Sequence, residues 1–239
     1  MLLFNEWRDG YFHWLFECLT RLEGLEVYEA QTGRKPAIIV GEDLTSWQRE
    51  TLSLLGYDED RLYRWSDNRA RVKRLVVPTV RRDRIVSAEA AKWLRDTMQD
   101  ALSGVHRREF PSRVYVSRQG ATRRRVRNED ALVAALSELE FERFVPSNMD
   151  VADQVRLFAG ADIVVSPHGA GLANIIHAED LSVIELFKPG AVRSQYFKLA
   201  NALGFDYQCL VCESAGLHMD VDVDRVRSLV ADVTTTTKE

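Results

Sequence analysis

The segment Ile163-Val-Val-Ser-Pro-His-Gly-Ala-Gly-Leu-Ala-Asn174 joins an apolar run to a turn holding His168, Gly169, Ala170, Gly171 and Leu172. Glycines at the carboxyl end of a strand let a ligand approach the backbone closely and leave N–H groups pointing outward. A helix starting just beyond adds a field that favours a diphosphate. His168 can donate to a phosphate there or orient a sugar; the same pattern also describes a plain strand–helix turn with a packed histidine. Arg118 ends a second apolar run, and Arg123, Arg124, Arg125 and Arg127 follow closely. Guanidinium groups grip phosphate in a forked, two-point geometry. The competing reading is a solvated loop in which Arg125 or Arg127 pairs with Glu129 or Asp130. Glu185 lies inside Val183-Ile-Glu-Leu-Phe187, where an unpaired carboxylate is costly. A ribose diol would supply its partners, and so would an arginine or a backbone amide. His13 and Glu17 are four residues apart, so a helix places them on one face. That spacing suits a base with an orienting carboxylate, or a histidine satisfied by local packing.

Other chemistries lack their signatures. The formal net charge of -4 argues against a nucleic-acid binder that works by bulk electrostatics. An anionic ligand therefore needs a local positive cluster. Three cysteines, Cys18, Cys209 and Cys212, form no disulfide framework, and one C-x-x-C without a second ligand pair is a poor zinc site. Both Cys209 and Cys212 are read as small apolar strand residues. The chain has no G-x-S-x-G nucleophile elbow and no P-loop. No Asp-x-Asp stands at a strand end, and Asp220-Val-Asp222-Val-Asp224 falls at an expected helix start, a weak place for a metal. No apolar run approaches the roughly 20 residues of a membrane-spanning helix, and the first residues do not read as a leader. A cytoplasmic protein is the expectation.

The elements that must position these residues alternate short apolar runs with helical stretches, the pattern of an α/β protein with a parallel sheet. Phe12, Leu15, Phe16, Leu19 and Leu22 predict a helix over 11–29. Strands are predicted at 37–40, 61–65 and 74–77, with helices at 45–55 and 87–102. A polar stretch around Pro111 separates a half at 1–105 from a second at 106–239. The second half predicts strands at 113–117, 141–145, 163–165, 183–187 and 207–211. Its helices are expected at 128–140, 149–159, 172–177, 194–203 and 221–230, with a frayed tail from Thr234.

Several of these motifs recur together and in one order. They are Tyr11-Phe-His-Trp-Leu15 with Glu17 and Arg21, Gln48-Arg-Glu50, Val116-Ser-Arg118, Arg124-Arg125 with Asn128-Glu129, His168-Gly-Ala-Gly-Leu172 with Asn174, and Val183-Ile-Glu-Leu186. The set resembles the family 61 glycosyltransferases, often labelled capsular polysaccharide biosynthesis proteins in microbes. The resemblance implies a GT-B architecture of two Rossmann-like lobes facing a cleft. It implies an inverting hexosyl- or pentosyltransferase with a nucleotide-diphosphate sugar as donor, a glycan or polysaccharide as acceptor, and no metal or other cofactor. Carried across, Arg118 with Arg123, Arg124 or Arg125 would bind the donor diphosphate, the His168–Leu172 turn would cradle it, and Glu185 would hold the ribose. His13 would be the base, with Glu17 as its orienter or as an alternative base. A place at the inner face of the membrane, on a polysaccharide assembly, would fit. Members usually carry a longer region before the Tyr-Phe-His-Trp-Leu motif, so the first lobe is expected to be shortened. The rival expectation is a non-catalytic relative that binds the sugar nucleotide and regulates or scaffolds synthesis. A Rossmann-type epimerase or dehydrogenase would need an early G-x-G-x-x-G and a Tyr-x-x-x-Lys pair, and neither occurs.

Overall fold

The computed structural model describes residues 1–66, 69, 71–79, 87–104 and 109–236, which form two compact units, Met1–Val105 and His106–Glu239. In the first unit, the stretch read as one helix is three pieces. They are α1 (Tyr11–His13), a π-helical segment Trp14–Leu19, and α2 (Arg21–Thr32), which ends at Gly33 with φ 65°. All six residues of the π segment are buried, and π turns inside helices recur at functional sites. Strands β1 (Ile38–Gly41) and β2 (Leu62–Trp65) pair in parallel, and Leu2 bridges Ile39. Helix α3 (Ser46–Leu54) starts with a capping box: Thr45 Oγ1 accepts from the Gln48 N–H while the Thr45 N–H donates to Gln48 Oε1. Helix α4 (Ala88–Ala101) is capped by Ser87, whose hydroxyl accepts from the Ala90 N–H.

One expected strand is not seen: residues 74–77 have no ladder partner among the described residues, and Leu75 and Val77 are exposed. Their apolar run lacks the buried face that would hold a strand, and Pro78 instead packs on Gly24 of α2, where a Cβ would meet it at 2.8 Å.

The second unit is built on a parallel sheet of five strands: β3 (Arg113–Val116), β4 (Glu142–Phe144), β5 (Ile163–Pro167), β6 (Ser182–Phe187) and β7 (Asp206–Val211). Their spatial order is β4-β3-β5-β6-β7. Strands β5 and β6 are buried along their whole length, as expected when helices cover both faces. On one face, Tyr115, Val165, Ile184 and Leu186 pack with Leu132 and Leu136 of α5 (Glu129–Ser137) and with Val226 and Val230 of α8 (Val223–Thr236). Helix α6 (Val151–Ala159) and α7 (Gln195–Leu203) pack on a 3-10 helix, Ala170–His177, where an α-helix was expected from Leu172.

Three further differences have local causes. An antiparallel hairpin, β8 (Glu213–Ala215) with β9 (His218–Asp220), follows the sheet, and Val126 bridges its Met219. Helix α8 continues past Thr234 to Thr236, with the Thr234 and Thr235 hydroxyls donating to Val230 O and Ala231 O at 2.7 and 2.9 Å and Val233 buried; residues 237–239 of the expected tail lie outside the described residues. Of the two C-x-x-C thiols, Cys212 is buried but lies one residue past the end of β7, whereas Cys209 is on that edge strand and exposed.

Candidate active site

In an open parallel sheet, ligands bind beyond the carboxyl ends of the strands, where the chain order reverses. Here the chain runs from β3 outward to β4 and then returns to the other side of β3 as β5. A cleft of about 370 Å³ opens at that reversal, lined by Ser117–Ala121 after β3, Pro146–Asn148 after β4, and Ser166, Pro167 and Gly169–Gly171 at the end of β5.

Arg118 dominates its chemistry. The guanidinium is partly buried; its Nε has no hydrogen-bond partner, and Nη2 donates to Arg123 O at 3.2 Å. Burial, with the nearby charge of Arg124 adding to it, pushes Arg118 below the usual arginine range. Among the described residues no carboxylate pairs with it. A desolvated cation facing another cation is unfavourable until an anion arrives. Gly169 makes room for it: a Cβ there would lie 1.8 Å from Arg118 Nη1, although the backbone is extended at φ -176°. At Gly171 a Cβ would meet Val116 Cγ1 at 3.2 Å and Pro146 Cγ at 3.4 Å, so the second glycine serves packing at the cleft floor. Ala170 lines the cleft, and Leu172 is buried behind it.

The other arginines separate by partner. Arg127 pairs with both oxygens of Asp220, and Arg125 lies against the ring of His218 at 3.2 Å. Hairpin residues on β9 therefore hold these two, in place of Glu129 and Asp130. Arg123 is exposed and offers its carbonyl to Arg118. Arg124, at φ 59°, turns the chain and donates its N–H to Leu217 O at 2.8 Å. Glu129 has a role that sequence reasoning missed: it accepts from Tyr115 and Ser117 hydroxyls, both at 2.8 Å, and Ser117 Oγ accepts from the Gln119 N–H at 3.0 Å. That network fixes the turn that presents Arg118.

His168 and Glu185 meet behind the cleft. His168 Nδ1 and Glu185 Oε1 are 2.5 Å apart, and the Tyr207 hydroxyl donates to Oε2 at 2.5 Å. His168 is 4% exposed and Glu185 0%. The ring stacks on Phe187 at 5.2 Å. Burial and the Glu185 charge raise Tyr207 above the usual phenol range, which keeps its proton in place for donation. With both oxygens engaged and no exposed surface, Glu185 is placed to orient His168 and Tyr207; a ribose would have to displace them.

In the first unit, His13 Nδ1 contacts Glu17 Oε1 at 2.9 Å, and Asn5 Nδ2 donates to Glu17 Oε2 at 2.8 Å. The His13 side chain is 39% exposed and that of Glu17 only 7%. The carboxylate thus fixes the ring by one nitrogen and leaves the imidazole reachable, as a base requires. Gly10 permits this: a Cβ there would touch His13 Cδ2 at 3.1 Å.

A parallel sheet of five strands whose order reverses over a glycine-walled cleft, with Arg118 at its edge, defines an α/β protein with a cleft at the carboxyl ends of its strands. The model of the family described as Glycosyltransferase 61 matches residues 11–184, nearly three quarters of the chain, so the protein belongs to that family. The match covers His13, Glu17, the arginine loop and the His168–Leu172 turn, and it ends one residue before Glu185. No curated protein matches the chain.

Proposed function

We propose that this protein is an inverting glycosyltransferase that moves a sugar from a nucleoside-diphosphate donor to a hydroxyl of a glycan or polysaccharide. The second unit holds the donor and the first supplies the base, as in a two-lobed GT-B-like enzyme. The observation that carries this is Arg118, partly buried at the sheet's switch point with no carboxylate partner among the described residues. Its chemistry matches a diphosphate.

In the step, the acceptor oxygen forms a bond to the anomeric carbon as the bond from that carbon to the diphosphate oxygen breaks. The acceptor proton passes to the imidazole of His13, and Glu17 stabilises the imidazolium. Negative charge grows on the leaving diphosphate, where Arg118, Arg124 and the N–H groups of the Gly169–Gly171 turn meet it. Preorganised donors of this kind stabilise a leaving group without a divalent cation. Glu185 and Tyr207 keep His168 in one orientation under the turn. A cytoplasmic position, at the inner face of a membrane that carries polysaccharide assembly, fits such a donor.

The test is thermal unfolding with a panel of nucleoside diphosphates, each with and without a chelator. A ligand bound only by the folded state raises the midpoint as its concentration exceeds its dissociation constant. One diphosphate is expected to do so regardless of chelator, and the shift is expected to vanish in Arg118→Ala. Binding lost to the chelator would overturn the metal-independent reading, and an undiminished shift in the variant would overturn the role of Arg118.

A further inference from the structure

We infer that the turn at residues 5–10 is a sugar-stacking platform for the acceptor, with the indole of Trp7 as its face; this rests on the reading of His13 as the base. Trp7 is 59% exposed, whereas Trp14 of the same unit is fully buried and donates to Thr51 Oγ1. An indole left in water forgoes the stabilisation of burial, and the turn that displays it is held by hydrogen bonds at Asn5, Trp7, Arg8 and Gly10. Asn5 Oδ1 accepts from the Trp7 N–H at 2.9 Å, while Asn5 Nδ2 binds Glu17. The Gly10 N–H donates to Trp7 O at 2.9 Å, and Gln48 Nε2 donates to Arg8 O at 3.1 Å. The Arg8 guanidinium lies over the Phe4 ring, 4.8 Å from its centroid. The exposed indole thus sits on a backbone held by hydrogen bonds and beside the candidate base, and a tryptophan presented in this way suits a ligand with one apolar face and one polar rim.

Asn5 couples this face to the base, because one side chain bonds both the Trp7 backbone and the carboxylate that orients His13. The ring centroids of Trp7 and His13 are 5.9 Å apart, with planes inclined by 33°. A pyranose has an apolar C–H face and a rim of hydroxyls. With that face on the indole, its rim reaches the imidazole edge, where the proton must go. Glu6, Arg8 and Asp9 flank Trp7 in sequence and offer both acceptors and donors to the remaining hydroxyls. Their mixed charge disfavours an anionic membrane surface, which selects lysine and arginine around an aromatic anchor.

The experiment measures binding of neutral gluco-, manno-, galacto- and xylo-oligosaccharides by ligand-observed NMR to the full chain, Trp7→Phe and Trp7→Ala. Nucleoside-diphosphate thermal shifts are recorded beside it, with sedimentation on phosphatidylglycerol vesicles. At least one oligosaccharide is expected to bind, about tenfold more weakly to the alanine variant, with phenylalanine in between. The nucleotide shift should be equal in all three proteins, which also reports that the variants fold. Equal oligosaccharide binding by the full chain and Trp7→Ala overturns the inference, as does no binding of any oligosaccharide. Trp7-dependent vesicle binding without oligosaccharide binding overturns it in favour of a membrane contact. A missing nucleotide shift with Trp7-dependent sugar binding retains the platform and removes the donor reading instead.

Discussion

At the scale of single residues, the proposed donor site depends on a guanidinium in a space that only glycine leaves open. Arg118→Ala removes a desolvated cation, so the unfolding midpoint should hold or rise while transfer is lost. Charge-assisted hydrogen bonds contribute about 1.5–3 kcal/mol each, so diphosphate affinity should fall by at least tenfold, read by calorimetry. Gly169→Ala reaches the same end by another route. Its Cβ would overlap Arg118 Nη1 at 1.8 Å, which forces the guanidinium out of the cleft with no change at residue 118 itself. Gly171→Ala meets only side-chain carbons at 3.2 and 3.4 Å, and should weaken binding much less. Equal losses for the two glycine variants would refute this account. The buried thiols make a separate prediction in pH. Burial pushes Cys18 and Cys212 up to about 11, so the folded chain holds these protons more tightly than the unfolded one. Their contribution is complete below the unfolded thiol range and is lost as pH rises through about 11. The unfolding midpoint should therefore drop above pH 9. At pH 8 a thiol reagent should label Cys209 first, since it alone of the three is exposed.

At the scale of elements, the sequence made the strand ends legible and left their supports hidden. Arg118, Gly169 and Gly171 could be placed beside a ligand because apolar runs end immediately before them, and that pattern is local. Glu129 could not be assigned to Ser117, nor Asp220 to Arg127, because those pairs are 12 and 93 residues apart. Glu185 was recognised as a carboxylate needing partners, but its partners come from the residue just past β5, His168, and from β7, Tyr207, on either side of β6. The run at 74–77 had the composition of a strand but pairs with no neighbour among the described residues. Helix positions were clearest where a cap was written in the sequence, as at Thr45 and Ser87. The 3-10 helix after the glycine turn is held by a buried amide pair of the same hidden kind. Asn174 Nδ2 donates to Gln154 Oε1 on α6 at 2.9 Å and to Gly171 O at 3.2 Å. Asn174→Leu would leave both acceptors without that donor, at about 1–3 kcal/mol each. It should lower the unfolding midpoint by several degrees, at about 2–4 °C per kcal/mol for a chain of this size. Because Gly171 O would lose its tether, diphosphate binding should weaken as well; a fall in stability with unchanged binding would limit the pair to a structural role.

At the scale of the molecule, the two units hold different parts of the proposed site. Every residue lining the cleft beyond β3, β4 and β5 belongs to the second unit, and the His13–Glu17–Asn5 group belongs to the first. The second unit also contains all five strands of its sheet and one contiguous core packed against α5 and α8. The order of those strands creates the switch point, and it is set by which long-range pairings bury most surface, which no local pattern encodes. A unit with its own sheet and core should fold by itself. Residues 106–239 expressed alone are therefore expected to unfold cooperatively. They should bind the same nucleoside diphosphate as the full chain with an affinity within about threefold, or about 0.7 kcal/mol. They should transfer no sugar, since the base is absent, and slow hydrolysis of the donor would remain the only turnover available. Calorimetry with the fragment and with the full chain decides the matter. A folded fragment that binds no diphosphate would show that the donor site needs residues of the first unit, and Arg118 would then be only part of an anion site that the second unit cannot complete.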